Sequence, residues 1–265
     1  MTDELRIERD GPVAILTLNR PDRMNAITAP MLDALSQEIV AADRDRDVRV
    51  IVLTGAGRGF CAGLDLKDAA SGEGIGSGQG VGSVVQKFDL RDAPPMVLHN
   101  CDTPTVCALN GAAAGYGMDL ALGCDIRIAA DTAKIAAAFT RRGVLPESGG
   151  TWLMPRLLGW AKAAEIAFTG RTLMADQCLE LGLVNQVVPA DQLMETTRAL
   201  AAEIAGNAPL AVQATKRMMR MAMDETFEAN VHHVFLQLLP LFRSQDFKEG
   251  LAAFIEKRDP KFEGR

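Results

Sequence analysis

Apolar runs that stop at glycine or proline recur along this chain, and they confine it to folds in which strands alternate with helices. VAILTLNRP at 13–21 is β-rich and ends at Pro21, and VRVIVLTGAG at 48–57 reads as a buried strand running into glycines. Between them, TAPMLDALSQEIVAADRD has helical apolar spacing, with Thr28 as N-cap and Pro30 in the first turn. TPTVCALNG at 103–111 and CDIRIAA at 124–130 continue the strands, with a short helix predicted between them at 115–123. The class is α/β. From about Trp160 the pattern becomes helical, broken only by the strand-like GLVNQVVP at 182–189. The expectation is an α/β core over 1–195 followed by a helical region over 196–265. SGEGIGSGQGVGS at 71–83 is too poor in apolar side chains to pack, and reads either as a linker or as a lid over a pocket.

Charge and cysteine usage remove whole classes of function. A net charge of -6 offers no basic face for nucleic acid or for an anionic membrane surface. No run of 18 apolar residues occurs, and the charged N-terminus MTDELRIERDG does not resemble a signal peptide, so a cytoplasmic location is expected. Cys61, Cys101, Cys107, Cys124 and Cys178 are odd in number and form no CxxC pair, which argues against a disulfide framework and a zinc site. His99, His232 and His233 are too scattered to suggest a metal cluster, and none lies in a stretch that otherwise looks catalytic. Acid and base work therefore falls to carboxylates.

Two glycine-rich turns follow strands, GAGRGFCAGLDL at 55–66 and NGAAAGYGMDLALG at 110–123. Neither reads GxGxxG, and no Gly-Lys-Ser/Thr follows, so the nucleotide-binding readings fail. Small residues ahead of a helix let free backbone N–H groups approach a negative atom. Donors from two separate loops can converge on one oxygen, which makes an oxyanion hole. The nearby carboxylates are Asp65, Asp119 and Glu147. Asp65 reads first as a complement to a helix dipole. Asp119 sits on the helix that the second turn begins, where it can face a pocket or serve as a hydrogen-bonded buried group. Glu147 stands between Val-Leu-Pro and Ser-Gly-Gly, where a turn delivers the chain into a helix beginning near Thr151. Glu147 is either a base whose pKa the apolar surroundings raise, or the structural partner of Arg141 or Arg142. Cys61, flanked by glycines in GFCAG, reads as a small buried thiol in preference to a nucleophile.

Five segments, NRPDRMNAI, TGAGRGFCAGLDL, NGAAAGYGMDLALGCDIRIAA, RRGVLPESGGTWLMPRLLG and EGLAAFIEKRDPKF, come in an order and spacing that resemble the crotonase, or enoyl-CoA hydratase/isomerase, superfamily. The resemblance implies a spiral of ββα repeats, a helical C-terminal trimerisation region, and assembly as a trimer or a dimer of trimers. It implies an acyl-CoA thioester substrate, with CoA as part of that substrate and with no metal or redox cofactor. By position, the oxyanion donors are the N–H groups of Leu64 and Tyr116. Ala62, Asp65, Lys67, Gly115, Phe139 and Lys257 fall at CoA or substrate positions, Lys257 from a neighbouring subunit. Hydratases of this family resemble one another in using two glutamates. Asp119 holds the first of those positions, but Phe139 holds the second and cannot activate water. Glu147 falls where enoyl-CoA isomerases and ring-opening isomerases of phenylacetate breakdown carry a single base. The resemblance thus implies a double-bond shift by proton transfer at Glu147. Hydration by Asp119 with Glu147 is the alternative, and a non-catalytic acyl-CoA-binding relative is a third reading.

Overall fold

The structure is a computed structural model that describes residues 3–65 and 93–265. Lys67 and the glycine- and serine-rich segment 71–83 lie outside the described residues.

Two sheets form the core. The larger has six strands, β1 (Leu5–Asp10), β2 (Val13–Leu18), β3 (Val50–Gly55), β5 (Thr105–Leu109), β7 (Ile126–Ala130) and β10 (Gln186–Val188), in that spatial order. Between them along the chain come three strands of the smaller sheet, β4 (Gly59–Cys61), β6 (Ala112–Ala114) and β8 (Lys134–Ala136), and β9 (Thr172–Met174) pairs antiparallel with β8. The chain therefore visits the large sheet, then the small sheet, then a helix, and repeats. These turns make the ββα spiral that the crotonase resemblance implies. In the large sheet β2, β3, β5, β7 and β10 run parallel, and β1 alone is antiparallel to its neighbour. Strands buried on both faces need near-continuous apolar runs, and all five residues of β5 are buried. β1 buries only Leu5, and its charged side chains blunt the sheet edge.

Helix α1 (Ala29–Arg44) starts as its sequence requires, with the Thr28 hydroxyl accepting from the Met31 N–H at 3.2 Å and proline in the first turn. It is followed by α2 (Pro94–Asn100), α3 (Tyr116–Gly123), α4 (Gly150–Leu158), α5 (Trp160–Thr169) and α6 (Ala175–Glu180). Helix α7 (Leu193–Ala205) lies against β2, β3, β5 and β7. Beyond it come α8 (Pro209–Met221), α9 (Phe227–Leu241) and α10 (Gln245–Glu256), which complete the helical C-terminal region.

Charge pairs fasten α8 to the core. Lys216 reaches Asp125 at 2.7 Å, Arg220 reaches Asp102 at 3.0 Å, and Arg217 also binds Asp102. Arg220 donates to the carbonyl of His99 at 2.8 Å, so the same helix fixes the end of α2. No described helix is long and apolar enough to cross a membrane.

Candidate active site

The three small-sheet strands β4, β6 and β8 pair parallel, Gly59 with Ala112 and Ala112 with Lys134, so their C-terminal ends come out side by side. Open parallel sheets place ligands at that edge. Leu64 lies three residues past β4, Tyr116 two past β6, and Phe139 and Glu147 follow β8, so the spiral brings to one edge what the sequence spreads over 83 positions.

Leu64 is held by a parallel bridge to Ile27, in which the Ile27 N–H donates to Gly63 O at 2.8 Å and the Asp65 N–H donates to Ile27 O at 3.0 Å. That pattern skips the Leu64 N–H. Tyr116 opens α3, where a first-turn N–H has no intrahelical partner. Among the described residues neither N–H has a backbone acceptor. The two loops touch at Gly63, whose φ of 95° only glycine adopts readily. A Cβ there would lie 2.8 Å from Ala114 O and 3.6 Å from Tyr116 N. Gly115, with φ 55°, turns the chain into α3 while its N–H donates to Ala136 O at 3.1 Å. The result is a pair of unused backbone donors on adjoining loops.

A cavity of about 390 Å³ has a wall that includes Asp119, one helical turn after Tyr116 on α3, together with Glu147, Ser148, His99, Trp152 and Asp224, whereas Leu64, Gly115, Tyr116 and Phe139 do not line it. Asp119 points from α3 to the loop before α4, where its Oδ2 accepts from the Ser148 N–H at 3.2 Å. Burial pushes the Asp119 carboxyl up to about 7, against the amides of Gly150 and Ser148, which favour its charged form. Gly150 is small by necessity, since a Cβ there would sit 2.2 Å from Asp119 Oδ1.

Glu147 makes no ion pair with any described residue, and Arg141 instead donates to Thr169 O at 3.2 Å. The surrounding protein raises the Glu147 pKa above its ordinary 4.5 even though the side chain stays accessible. Tyr116 is buried, and burial first and the nearby Glu147 charge second push its phenol pKa upward. Phe139 is buried at the start of the 3-10 turn Thr140–Arg142 and brings an apolar ring to Gly115.

His99 is the residue that sequence reasoning passed over. It stands edge-on to Trp152 at 5.2 Å between ring centroids, while the Arg156 guanidinium stacks 3.8 Å from the Trp152 ring centre and reaches Asp224 at 3.6 Å. Burial and then Arg220 lower the His99 pKa from its ordinary value, which favours the neutral ring. No local motif marks these residues, because they come from segments far apart in the sequence.

The structure also locates the other expected residues. Asp65 is buried and pairs with Arg20 at 3.1 Å and Arg23 at 3.2 Å, which places it in an ion-pair network. Ala62 is exposed, and its N–H donates to Met24 O at 2.9 Å. Lys257 caps α10 in the left-handed region, outside the cavity wall. All five cysteines are buried free thiols, and burial raises Cys61 to about 12, far from a thiolate nucleophile at neutral pH.

Comparison with known proteins agrees with this fold. A family model described as enoyl-CoA hydratase/isomerase matches residues 8–265. The chain is 39% identical over 257 residues to a 1,2-epoxyphenylacetyl-CoA isomerase of Escherichia coli K12, covering 96% of this chain and 95% of that one. It is 36% identical over 274 residues to a carnitinyl-CoA dehydratase of Salmonella enteritidis, covering all of both. The crystal structure of an enoyl-CoA hydratase from Mycobacterium tuberculosis H37Rv superposes with a TM-score of 0.89 at 33% identity, covering all of both chains.

Proposed function

The chain belongs to the enoyl-CoA hydratase/isomerase family and is an enzyme acting on acyl-CoA thioesters, and from that premise we propose that it shifts a carbon–carbon double bond by proton transfer next to the thioester. Glu147 is the base. The observation that carries this reading is a carboxylate on the cavity wall that is raised in pKa and has no ion pair among the described residues. A carboxylate locked to Arg141 or Arg142 would have favoured a non-catalytic binding protein.

In a 3-enoyl-CoA the C2–H bond breaks, its proton passes to Glu147, and its electrons spread through C3 and C4 and onto the thioester oxygen. The Leu64 and Tyr116 N–H groups meet that oxygen as its charge grows. Glu147 then returns the proton at C4 as a C2–C3 double bond forms, so atoms and charge balance with a single base. Phe139 keeps water away from the face where a second glutamate would activate it. Asp119, carrying a proton near neutral pH, serves as an auxiliary acid. CoA is part of the substrate, and the transfers use carboxylates and backbone donors.

Hydration of a 2-enoyl-CoA is the second reading, favoured by the presence of Asp119 and Glu147 on one cavity wall. Incubation with 2-enoyl-CoA and 3-enoyl-CoA separately in deuterated water, with product masses resolved, tests the two. Isomerisation of the 3-enoyl ester with deuterium exchange and no added water supports the one-base shift. Addition of water to the 2-enoyl ester makes Asp119 and Glu147 a hydratase pair, and inertness toward both rejects the two readings for simple enoyl esters.

A further inference from the structure

Two cavities meet at one thin wall. The Glu147 cavity of about 390 Å³ shares Leu98, His99, Gly123, Trp152 and Leu153 with a second cavity of about 800 Å³ that lies between α8 and the core. The largest side chains of that wall are His99 and Trp152, whose rings meet edge-on with centroids 5.2 Å apart and planes at 82°. Each is held in place. The Arg156 guanidinium lies 3.8 Å from the Trp152 ring centre and reaches Asp224 at 3.6 Å, while Arg220 of α8 donates to the His99 carbonyl at 2.8 Å. An edge-on aromatic partner and a stacked cation both oppose rotation of the indole. The pair therefore stands as a closed partition between the two spaces.

The space behind the partition is suited to hydrocarbon. Leu122, Ile126, Ile204, Val212 and Met219 line it. The cations that border it are already engaged, Lys216 with Asp125 at 2.7 Å, Arg220 with Asp102 at 3.0 Å, and Arg127 with the carbonyls of Leu183 and Cys124 at 2.6 Å each. An anionic head group would have to displace those acceptors, whereas an alkyl chain displaces none. We propose that His99 and Trp152 form a chain-length stop against which the end of a short acyl chain rests, and that the larger cavity is the space from which they exclude longer chains. The proposal rests on reading the Glu147 cavity as the acyl site. Trp152 is then a specificity residue, because a chain too long for the first cavity must either strain or turn the pair aside.

Calorimetry with saturated, unreactive CoA thioesters from acetyl to dodecanoyl tests this without turnover. Each added methylene that finds an apolar wall should tighten binding roughly fourfold. In the wild type that gain is expected to stop at a short chain length. In Trp152→Ala it is expected to continue, so that the ratio of dodecanoyl to butanoyl affinity rises at least about tenfold. His99→Ala carries the same prediction and takes its place should Trp152→Ala fail to fold. A wild-type series with no break overturns the stop, and so does a break that the folded alanine variant leaves where it was. Isomerisation of a 3-enoyl-CoA, followed in parallel, separates the two readings. Turnover with an unbroken series rejects the stop alone, a broken series without turnover rejects the double-bond shift alone, and failure to bind any ester rejects both.

Discussion

The Ser148 N–H donates to Asp119 Oδ2 at 3.2 Å, so the residue that follows the proposed base in the chain also fixes the second carboxylate of its cavity. Because of burial, the folded protein holds a proton on Asp119 up to about pH 7, whereas the ordinary value is 3.8. Between those values the folded state binds more protons than the unfolded one, so this group's contribution to stability is fully present below the unfolded pKa and is lost as pH rises through about 7. Three units correspond to on the order of 4 kcal/mol. Asp119→Asn should therefore be close to wild type at pH 4 and more stable than wild type at pH 8. Urea midpoints at the two pH values check this, and parallel pH profiles for both proteins would refute the assignment.

Glu147→Gln keeps size and hydrogen bonding but cannot accept the substrate proton. Turnover of a 3-enoyl-CoA should fall roughly 10³-fold, the range for a lost general base, with affinity for a saturated ester changing less than about threefold. Because the Glu147 pKa is raised, wild-type kcat/KM should climb with pH through a value above 4.5. If Asp119 supplies a proton, the rate should fall again through about 7. A profile flat from pH 4 to pH 8 would separate both carboxylates from the chemistry.

The same two carboxylates show what could be read from sequence and what could not. Glu147 was visible because a charge amid Val-Leu-Pro and Ser-Gly-Gly has no solvated face to belong to. The long strands β2, β3, β5 and β7 were visible as apolar runs. β4, β6, β8 and β9 have three residues each, too few for an alternating pattern to show, and β1 has one buried residue among six. The ion pairs of Asp65 could not be read, because Arg20 and Arg23 lie 45 and 42 residues earlier, beyond any local pattern. His99, Trp152 and Asp224 lie far apart in the sequence and meet only on the cavity wall.

Gly63 separates the two unused donors. Gly63→Ala would place a methyl group 2.8 Å from Ala114 O in a backbone conformation that alanine resists, which must push the Leu64 and Tyr116 loops apart. kcat should drop on the order of 10²-fold, as for loss of one oxyanion donor, while the Kd of a saturated ester changes far less. Loss of binding and turnover in equal measure would mean that these donors hold the ground state and the transition state alike.

Asp102 receives both Arg217 and Arg220 from α8, and Arg220 also holds the carbonyl at His99. Asp102→Ala leaves two half-buried guanidinium groups without their carboxylate. Because the pairs are only partly shielded, the expected cost is about 2 kcal/mol, below the range for fully buried pairs. Amide exchange should rise first in α8 and at the end of α2. An unchanged exchange pattern there would show that apolar packing alone seats the helix.

The end of α10 offers the most direct test of assembly. Phe254 is 84% exposed and Ile255 is 77% exposed in the single chain, and on α9 Phe227 is 86% exposed and Phe235 58%. Side chains of this size contribute roughly 2 kcal/mol each when covered, and large apolar side chains left this exposed are candidates for an interface. A closed assembly of identical subunits, a trimer or a dimer of trimers, would cover them. Light scattering should find the wild type assembled, and Phe254→Glu combined with Ile255→Glu should yield smaller species with unchanged far-UV circular dichroism. Lys257 follows Ile255 by two residues and leaves the helix in a left-handed turn, so it would lie at that contact, where it could reach a neighbour's CoA. The double variant should then also raise KM for CoA esters more than it lowers kcat. A monomeric wild type, or a dissociated variant with unaltered KM, would show that Lys257 takes no part in a neighbouring site.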